Sequence, residues 1–180
     1  MEILAISGSL RAASYNTMAL NVARALAPEG VNVTVTDLGG IPPYREEDYQ
    51  QGFPAAVEAL RGAIRGSDAV LIATPEYNYS IPGVLKNAID WVSRPPEQPF
   101  AGKPLAIFGA ARGALGTARA QYHLRQVFVF LNALVLNQPE VMIGSAHQAF
   151  DDGGALTDEA MKERLANLVE ALVAWTERVG

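Results

Sequence analysis

The chain of 180 residues contains no cysteine and only two histidines, His123 and His147. The first absence excludes disulfides, zinc–thiolate sites, iron–sulfur clusters and thiol nucleophiles together. With so few imidazoles, a histidine-rich metal centre is not expected either. Positive charge is scarce: 14 Lys and Arg stand against 19 Asp and Glu, a net charge of −5, with no basic block. Such a surface suits neither nucleic acid nor an anionic membrane. No apolar run reaches the roughly 18 to 20 residues needed to span a bilayer. The opening MEILAISGSLR lacks the basic segment of a signal peptide. A cytoplasmic protein without nucleic-acid or membrane partners is the expectation.

What is present is a folded chain, 49% apolar and 18% charged, of a length that suits one domain over residues 1–180. Strand and helix patterns alternate. Glu2 to Ser7 reads as a short buried strand, Ser14 to Ala27 as a helix, and Val31 to Thr36 as a second strand. Pro54 to Arg65 is helical and opened by proline. Asp68 to Thr74 is a continuous apolar strand, followed by a helix over Pro82 to Ser93. Pro104 to Ala111 is a fourth strand and Leu115 to Leu131 a long helix. Val135 to Ile143 supplies a fifth strand, interrupted by Pro139. Thr157 to Val179 is the last helix, opened by a turn like a capping box at Thr157.

Apolar strands alternating with helices imply βαβ units and a parallel sheet covered on both faces. Five strands at this spacing suit the doubly wound order 2-1-3-4-5, in which ligands bind beyond the carboxyl ends of strands one and three. Three loops then carry the chemistry: Ser7 to Asn16, Thr74 to Pro82 and Gly109 to Thr117. The irregular stretch Asp37 to Phe53 is too long for an ordinary connection and is expected to be a functional loop or an interface, and Arg94 to Gly102 is a second irregular excursion.

The first loop places Gly8, Ser9, Arg11, Ser14, Asn16 and Thr17 around a helix start. Free N–H groups, hydroxyls and a guanidinium make such a loop an anion cradle. It is neither a GxGxxG fingerprint nor a GxxxxGK[ST] loop, which disfavours a nucleotide hydrolase. The alternative is a plain helix cap at Ser14 beside an exposed arginine. The second loop carries Pro75, Glu76, Tyr77, Asn78, Tyr79 and Ser80, then Pro82 and Gly83. Prolines and tyrosines so dense form a rigid apolar platform with polar edges, suited to a planar heteroaromatic ligand. An ordinary proline-rich turn is the alternative. Trp91 is expected in the core, and Lys86 with Asp90 as a surface pair.

Together the two loops resemble the NADPH-dependent FMN reductase family, in the branch described as quinone, chromate and azo-dye reductases. The family pattern GSLRxxSxN occupies Gly8 to Asn16, and PEYNxSxPGxLKNAxDW runs from Pro75 to Trp91 without a mismatch. The likeness continues through Ala118 to Gln126 and Pro139 to Met142. It implies a flavodoxin-like three-layer α/β sandwich with bound FMN and NAD(P)H as electron donor. Carried over by position, Ser9, Arg11, Ser14, Asn16 and Thr17 would hold the 5′-phosphate. Pro75, Glu76, Tyr77 and Asn78 would line the isoalloxazine and ribityl chain. The third loop departs from the family's Gly- and Ser-rich pattern. Its Ala111, Arg112 and Gly113 are assigned to the cofactor, with Arg112 near either the flavin pyrimidine edge or a phosphate of incoming NADPH; an exposed arginine is the alternative.

The implied reaction is hydride transfer from NAD(P)H to flavin N5, then to a quinone or a similar flat acceptor, chromate, azo or nitro compounds included, in a ping-pong scheme. No catalytic side chain is required. The helix start after the third loop is expected to stabilise negative charge on the reduced ring. Tyr79 and the Asp37 to Phe53 segment are candidate pocket walls, Tyr44 and Tyr49 either walls or contacts to another subunit. The apolar run Val127 to Leu131 is expected in a core or an interface, with Arg119, Tyr122, Arg125 and Glu140 as candidate interface contacts or, alternatively, a surface ion network. His123 is expected to be structural. The family implies a homodimer or homotetramer. A flavodoxin-type electron carrier and an FMN-binding regulatory module without turnover are the competing readings.

Overall fold

A computed structural model describes residues 1–180. Six strands and seven helices follow one another along it: β1 Glu2–Ser7, α1 Tyr15–Ala25, β2 Asn32–Thr36, α2 Glu46–Tyr49, α3 Ala55–Gly66, β3 Ala69–Ala73, α4 Gly83–Val92, β4 Pro104–Ala110, α5 Ala118–Phe130, β5 Leu134–Val135, β6 Val141–Ile143, α6 Ala146–Ala149 and α7 Glu159–Val179. All strand pairs are parallel, in the order β2-β1-β3-β4-β5, with β6 also on β4. The doubly wound order expected from the alternation, and the flavodoxin-like three-layer arrangement that the resemblance implies, are those observed.

The strands read as apolar throughout because both faces are covered. Successive side chains point to opposite faces. Ile3, Ala5, Leu71, Ala73 and Phe108 face α1 and α7, where they meet Leu20, Leu165, Leu168 and Leu172. Leu4, Ile6, Val70, Ile72 and Ile107 face α3, α4 and α5, against Ile64, Leu85, Ile89 and Leu124. Each fully buried Leu or Ile contributes about 1.5–3 kcal/mol by its removal from water.

Four expectations are corrected. The fifth strand is two strands: β5 pairs with the start of β4 and β6 with its end. Between them the chain leaves the ladder around Pro139, which has no N–H to donate. Helix α5 begins at Ala118 rather than Leu115, because Gly116 has φ +59° and Thr117 lies outside the helical region. The cap of α7 is Asp158, whose carboxylate accepts from Met161 N at 3.1 Å, while the Thr157 hydroxyl donates to Ala149 O at 3.1 Å. Helix α1 ends at Ala25, two residues early, and its expected cap is present: Ser14 Oγ accepts from Thr17 N.

The long segment after β2 is strapped to α4. Asn87 donates to Pro42 O at 2.8 Å and accepts from Tyr44 N at 2.7 Å. Trp91 is fully buried and donates its indole N–H to the same carbonyl at 2.8 Å. The Tyr44 ring meets Trp91 edge-on at 4.8 Å, and Tyr49 packs near Phe53 at 5.5 Å. Both tyrosines therefore pack within their own chain. Arg61, buried on α3, donates to Arg94 O and Glu97 O at 2.9 Å and stacks on Phe53 at 4.1 Å. That single guanidinium holds the start of the Arg94 to Gly102 excursion.

Candidate active site

The three loops converge at the carboxyl ends of β1, β3 and β4 around a cleft of about 440 Å³. That volume lies within the 300–1,000 Å³ range typical of small-molecule sites. A smaller hollow of about 240 Å³ touches Glu2, Ala63 and Ser67 and none of the three loops.

From the first loop, Ser9, Arg11, Ser14 and Asn16 line the cleft, and Tyr15 joins them. Thr17 N is taken by the Ser14 cap, but Tyr15 N and Asn16 N have no protein partner, so this wall offers donors to an anion. Arg11 donates to Ala13 O and lies 5.0 Å from the Tyr15 ring centroid. Thr17 is not part of the lining; its hydroxyl pairs with Ser7 Oγ at 2.8 Å, beneath the loop. Asn16 borders the cleft with its amide already engaged: Oδ1 accepts from Ala110 N at 2.9 Å and Nδ2 donates to Ala110 O at 3.0 Å. It ties the start of α1 to the end of β4.

From the second loop, Pro75, Glu76 and Tyr77 line the cleft, and Tyr77 is 54% exposed. Asn78 and Tyr79 do not. They form the tip of a tight turn in which Tyr77 and Ser80 exchange backbone hydrogen bonds at 3.0 Å, with φ +50° and +68° at the two central residues. Such angles are those of a type I′ turn. The turn is braced on α5: Arg119 stacks on the Tyr79 ring at 3.7 Å, and Ser80 Oγ meets His123 Nδ1 at 3.1 Å. His123 is thus satisfied, as expected, although exposed.

Glu76 reaches below this turn to the start of α5. Its carboxylate accepts from Arg119 N at 3.0 Å, Ala120 N at 3.1 Å and Arg119 Nε at 2.6 Å. Burial by itself would raise its pKa, but the hydrogen bonds from Arg119 and Ala120 outweigh burial and hold it below the usual carboxylate value. The first donors of α5 therefore already serve an internal anion. This corrects the expectation that they stabilise charge on the flavin, and the 43-residue separation left no local signal for it.

From the third loop, Ala111, Arg112 and Gly113 line the cleft, with Ala110 beside them. Gly109 is required here. A Cβ at this position would collide with Thr117 Oγ1 and Thr74 O, where β3, β4 and α5 approach. Neither Arg11 nor Arg112 takes part in an ion pair. Free amides, hydroxyls and the Arg11 guanidinium fit a phosphate, and the Pro75–Tyr77 wall fits a flat ring.

The sequence profile described as NADPH-dependent FMN reductase matches residues 1–148. The chain belongs to the NADPH-dependent FMN reductase family. It is 57% identical to an NAD(P)H-dependent FMN reductase of Pseudomonas aeruginosa over 99% of this chain and 97% of that one. It is 45% identical to a quinone reductase of Escherichia coli, with 99% and 97% covered. The solved structure of FerB from Paracoccus denitrificans, a flavoenzyme NAD(P)H:(acceptor) oxidoreductase, superposes with a TM-score of 0.90 at 35% identity, covering 99% and 98%. The protein is an NAD(P)H-dependent oxidoreductase with FMN as cofactor, as its family is. No helix is long and apolar enough to cross a membrane.

Proposed function

We propose that this protein reduces quinones and similar flat acceptors with NAD(P)H, donor and acceptor occupying the same cleft in turn. The carrying observation is that one cleft holds both a phosphate-type wall and an exposed apolar ring wall. The relatives named for quinone reduction support the choice of acceptor.

In this reading Ser9, Arg11, Ser14 and the first N–H groups of α1 hold the FMN phosphate. Asn16 and Thr17 shape that wall from behind. Pro75, Glu76 and Tyr77 support the ring through their backbone, and Asn78 closes the turn beside it. FMN, when bound, supplies the two-electron exchange between nicotinamide and acceptor. The balance is NAD(P)H, a proton and a quinone giving NAD(P)⁺ and hydroquinone. The protein's part is to orient both partners against one ring face. The cytoplasm, where NAD(P)H is available, is the proposed compartment.

A homodimer or homotetramer is proposed as well. Val129 and Phe130, at the end of α5, are 80% and 90% exposed, unlike the buried Phe128 one residue earlier. On the same helix Tyr122 donates to Glu140 at 3.2 Å and Arg125 to Leu136 O at 2.8 Å.

The test is steady-state turnover of the FMN-loaded protein with NADPH or NADH and benzoquinone. Parallel double-reciprocal lines are expected for one shared cleft. Intersecting lines would reject the alternating scheme, and absence of turnover in a yellow protein would reject the enzyme in favour of an electron carrier or a regulatory module.

A further inference from the structure

The cleft contains one cation for which the fold itself has no use. Arg112 lines the cleft and is exposed, yet its guanidinium has no hydrogen-bond acceptor and no acidic partner in the chain. The other arginines near the site are occupied. Arg119 is held by Glu76 and stacked on Tyr79, and Arg11 folds onto Ala13 O and Tyr15.

The backbone that carries Arg112 is, by contrast, tightly braced. Ala111 N donates to Ile143 O and Ala111 O accepts from Ala146 N, both at 3.0 Å. Gly113 O accepts from Ser145 N at 3.1 Å and from Gly116 N at 3.2 Å. A free head on a fixed base lowers the entropy cost of engaging a ligand, because only side-chain rotations remain to be restricted.

Charge then selects the ligand. The only carboxylate in the cleft, Glu76, is neutralised by Arg119. Arg11 and Arg112 are left as two uncompensated positive charges, brought in by two different loops. A phosphate monoester carries about −1.5 to −2 at pH 7. The FMN phosphate is served by Arg11, the hydroxyls and the start of α1. The next anionic groups to enter are the phosphates of the reducing dinucleotide, and a guanidinium fork matches phosphate geometry. A neutral quinone brings none.

On the reading that this cleft takes FMN and NAD(P)H, we propose that Arg112 receives a phosphate group of the nicotinamide dinucleotide. It is a donor-binding residue with no part in holding FMN, and it distinguishes donor from acceptor in a cleft that both must use.

The test uses FMN-loaded wild type, Arg112→Ala and Arg112→Lys, titrated calorimetrically with ADP-ribose and 2′-phospho-ADP-ribose, which cannot reduce the flavin. FMN affinity of each apoprotein is measured alongside. Arg112→Ala is expected to weaken nucleotide binding about tenfold or more. Arg112→Lys is expected to recover part of the loss, and FMN affinity to stay within about twofold. A loss confined to 2′-phospho-ADP-ribose assigns the contact to the 2′-phosphate; an equal loss for both assigns it to the pyrophosphate. Unchanged nucleotide binding, or an equally large loss of FMN affinity, overturns the proposal. Failure of the underlying reading looks different: the wild type itself would take up no FMN or bind neither nucleotide.

Discussion

The Glu76 carboxylate lies across the amino end of α5, with one oxygen 2.6 Å from Arg119 Nε and the other 3.0 Å from Arg119 N. A residue of the cleft wall thus doubles as the cap of a helix and as the anchor of a strained turn. Glu76→Gln keeps the shape and removes the charge. The folded-state pKa is depressed, so the carboxylate stabilises the fold above its ordinary value of 4.5. That contribution is lost as pH falls through the folded value. Urea unfolding is expected to show the variant less stable than wild type at pH 7, with the gap closing below pH 4.5. A constant gap across pH would show that the ionised form is not what matters.

Asn16→Ala removes both hydrogen bonds to the Ala110 backbone, which lies among buried residues. The cost is expected at about 2 kcal/mol in chemical denaturation, because a buried N–H and C=O lose their partners together. FMN retention on gel filtration should fall as well, since α1 and β4 then lose their link beside the cleft.

Gly109→Ala places a methyl group on Thr117 Oγ1 and Thr74 O. The carbonyl is backbone between β3 and Pro75, so it cannot rotate aside as a flexible side chain would. A loss of about 3 kcal/mol or more is expected, read as a lower thermal midpoint or insoluble expression. Thr117→Ser in the same background leaves the carbonyl clash and should not rescue it.

Trp91→Phe keeps a six-membered ring but deletes the buried pyrrole half and one of two donors to Pro42 O, Asn87 supplying the other. The expected loss is about 2–3 kcal/mol, the hydrogen bond and the cavity together. Amide exchange at Tyr44, whose N–H is held by Asn87, should rise only modestly. In Asn87→Ala it should rise sharply, which separates the two straps.

Phe130→Glu with Val129→Glu charges the most exposed apolar surface of α5. If a second copy covers it, the variant should sediment as a monomer with an unchanged circular dichroism spectrum. An unchanged sedimentation coefficient would place any subunit contact elsewhere.

The fold was legible because its signals are local. Apolar strands of about the right length, each followed by a helix, admit few arrangements once crossovers are right-handed and both sheet faces must be covered. The Ser7–Asn16 and Thr74–Pro82 loops were legible for the same reason: their residues are contiguous, and the topology puts them side by side. Element ends were less so. The start of α5 depends on the backbone of Gly116 and Thr117, and the split of the fifth strand on which β4 carbonyls lie within reach.

Residue types in the cleft, the order of the sheet and the family were determined by the sequence alone, since contiguous motifs and continuous apolar strands spaced by helices need no distant partner. The use of each side chain was decided by the tertiary structure. Asn16 is spent on Ala110, Thr17 on Ser7, and Glu76 on a helix 43 residues away. Arg112 is left without a protein partner. Hydrogen bonds and charge pairs between distant segments are made only where the fold brings those segments within about 3 Å. Which polar groups remain free for a ligand is therefore known only after the chain has closed on itself.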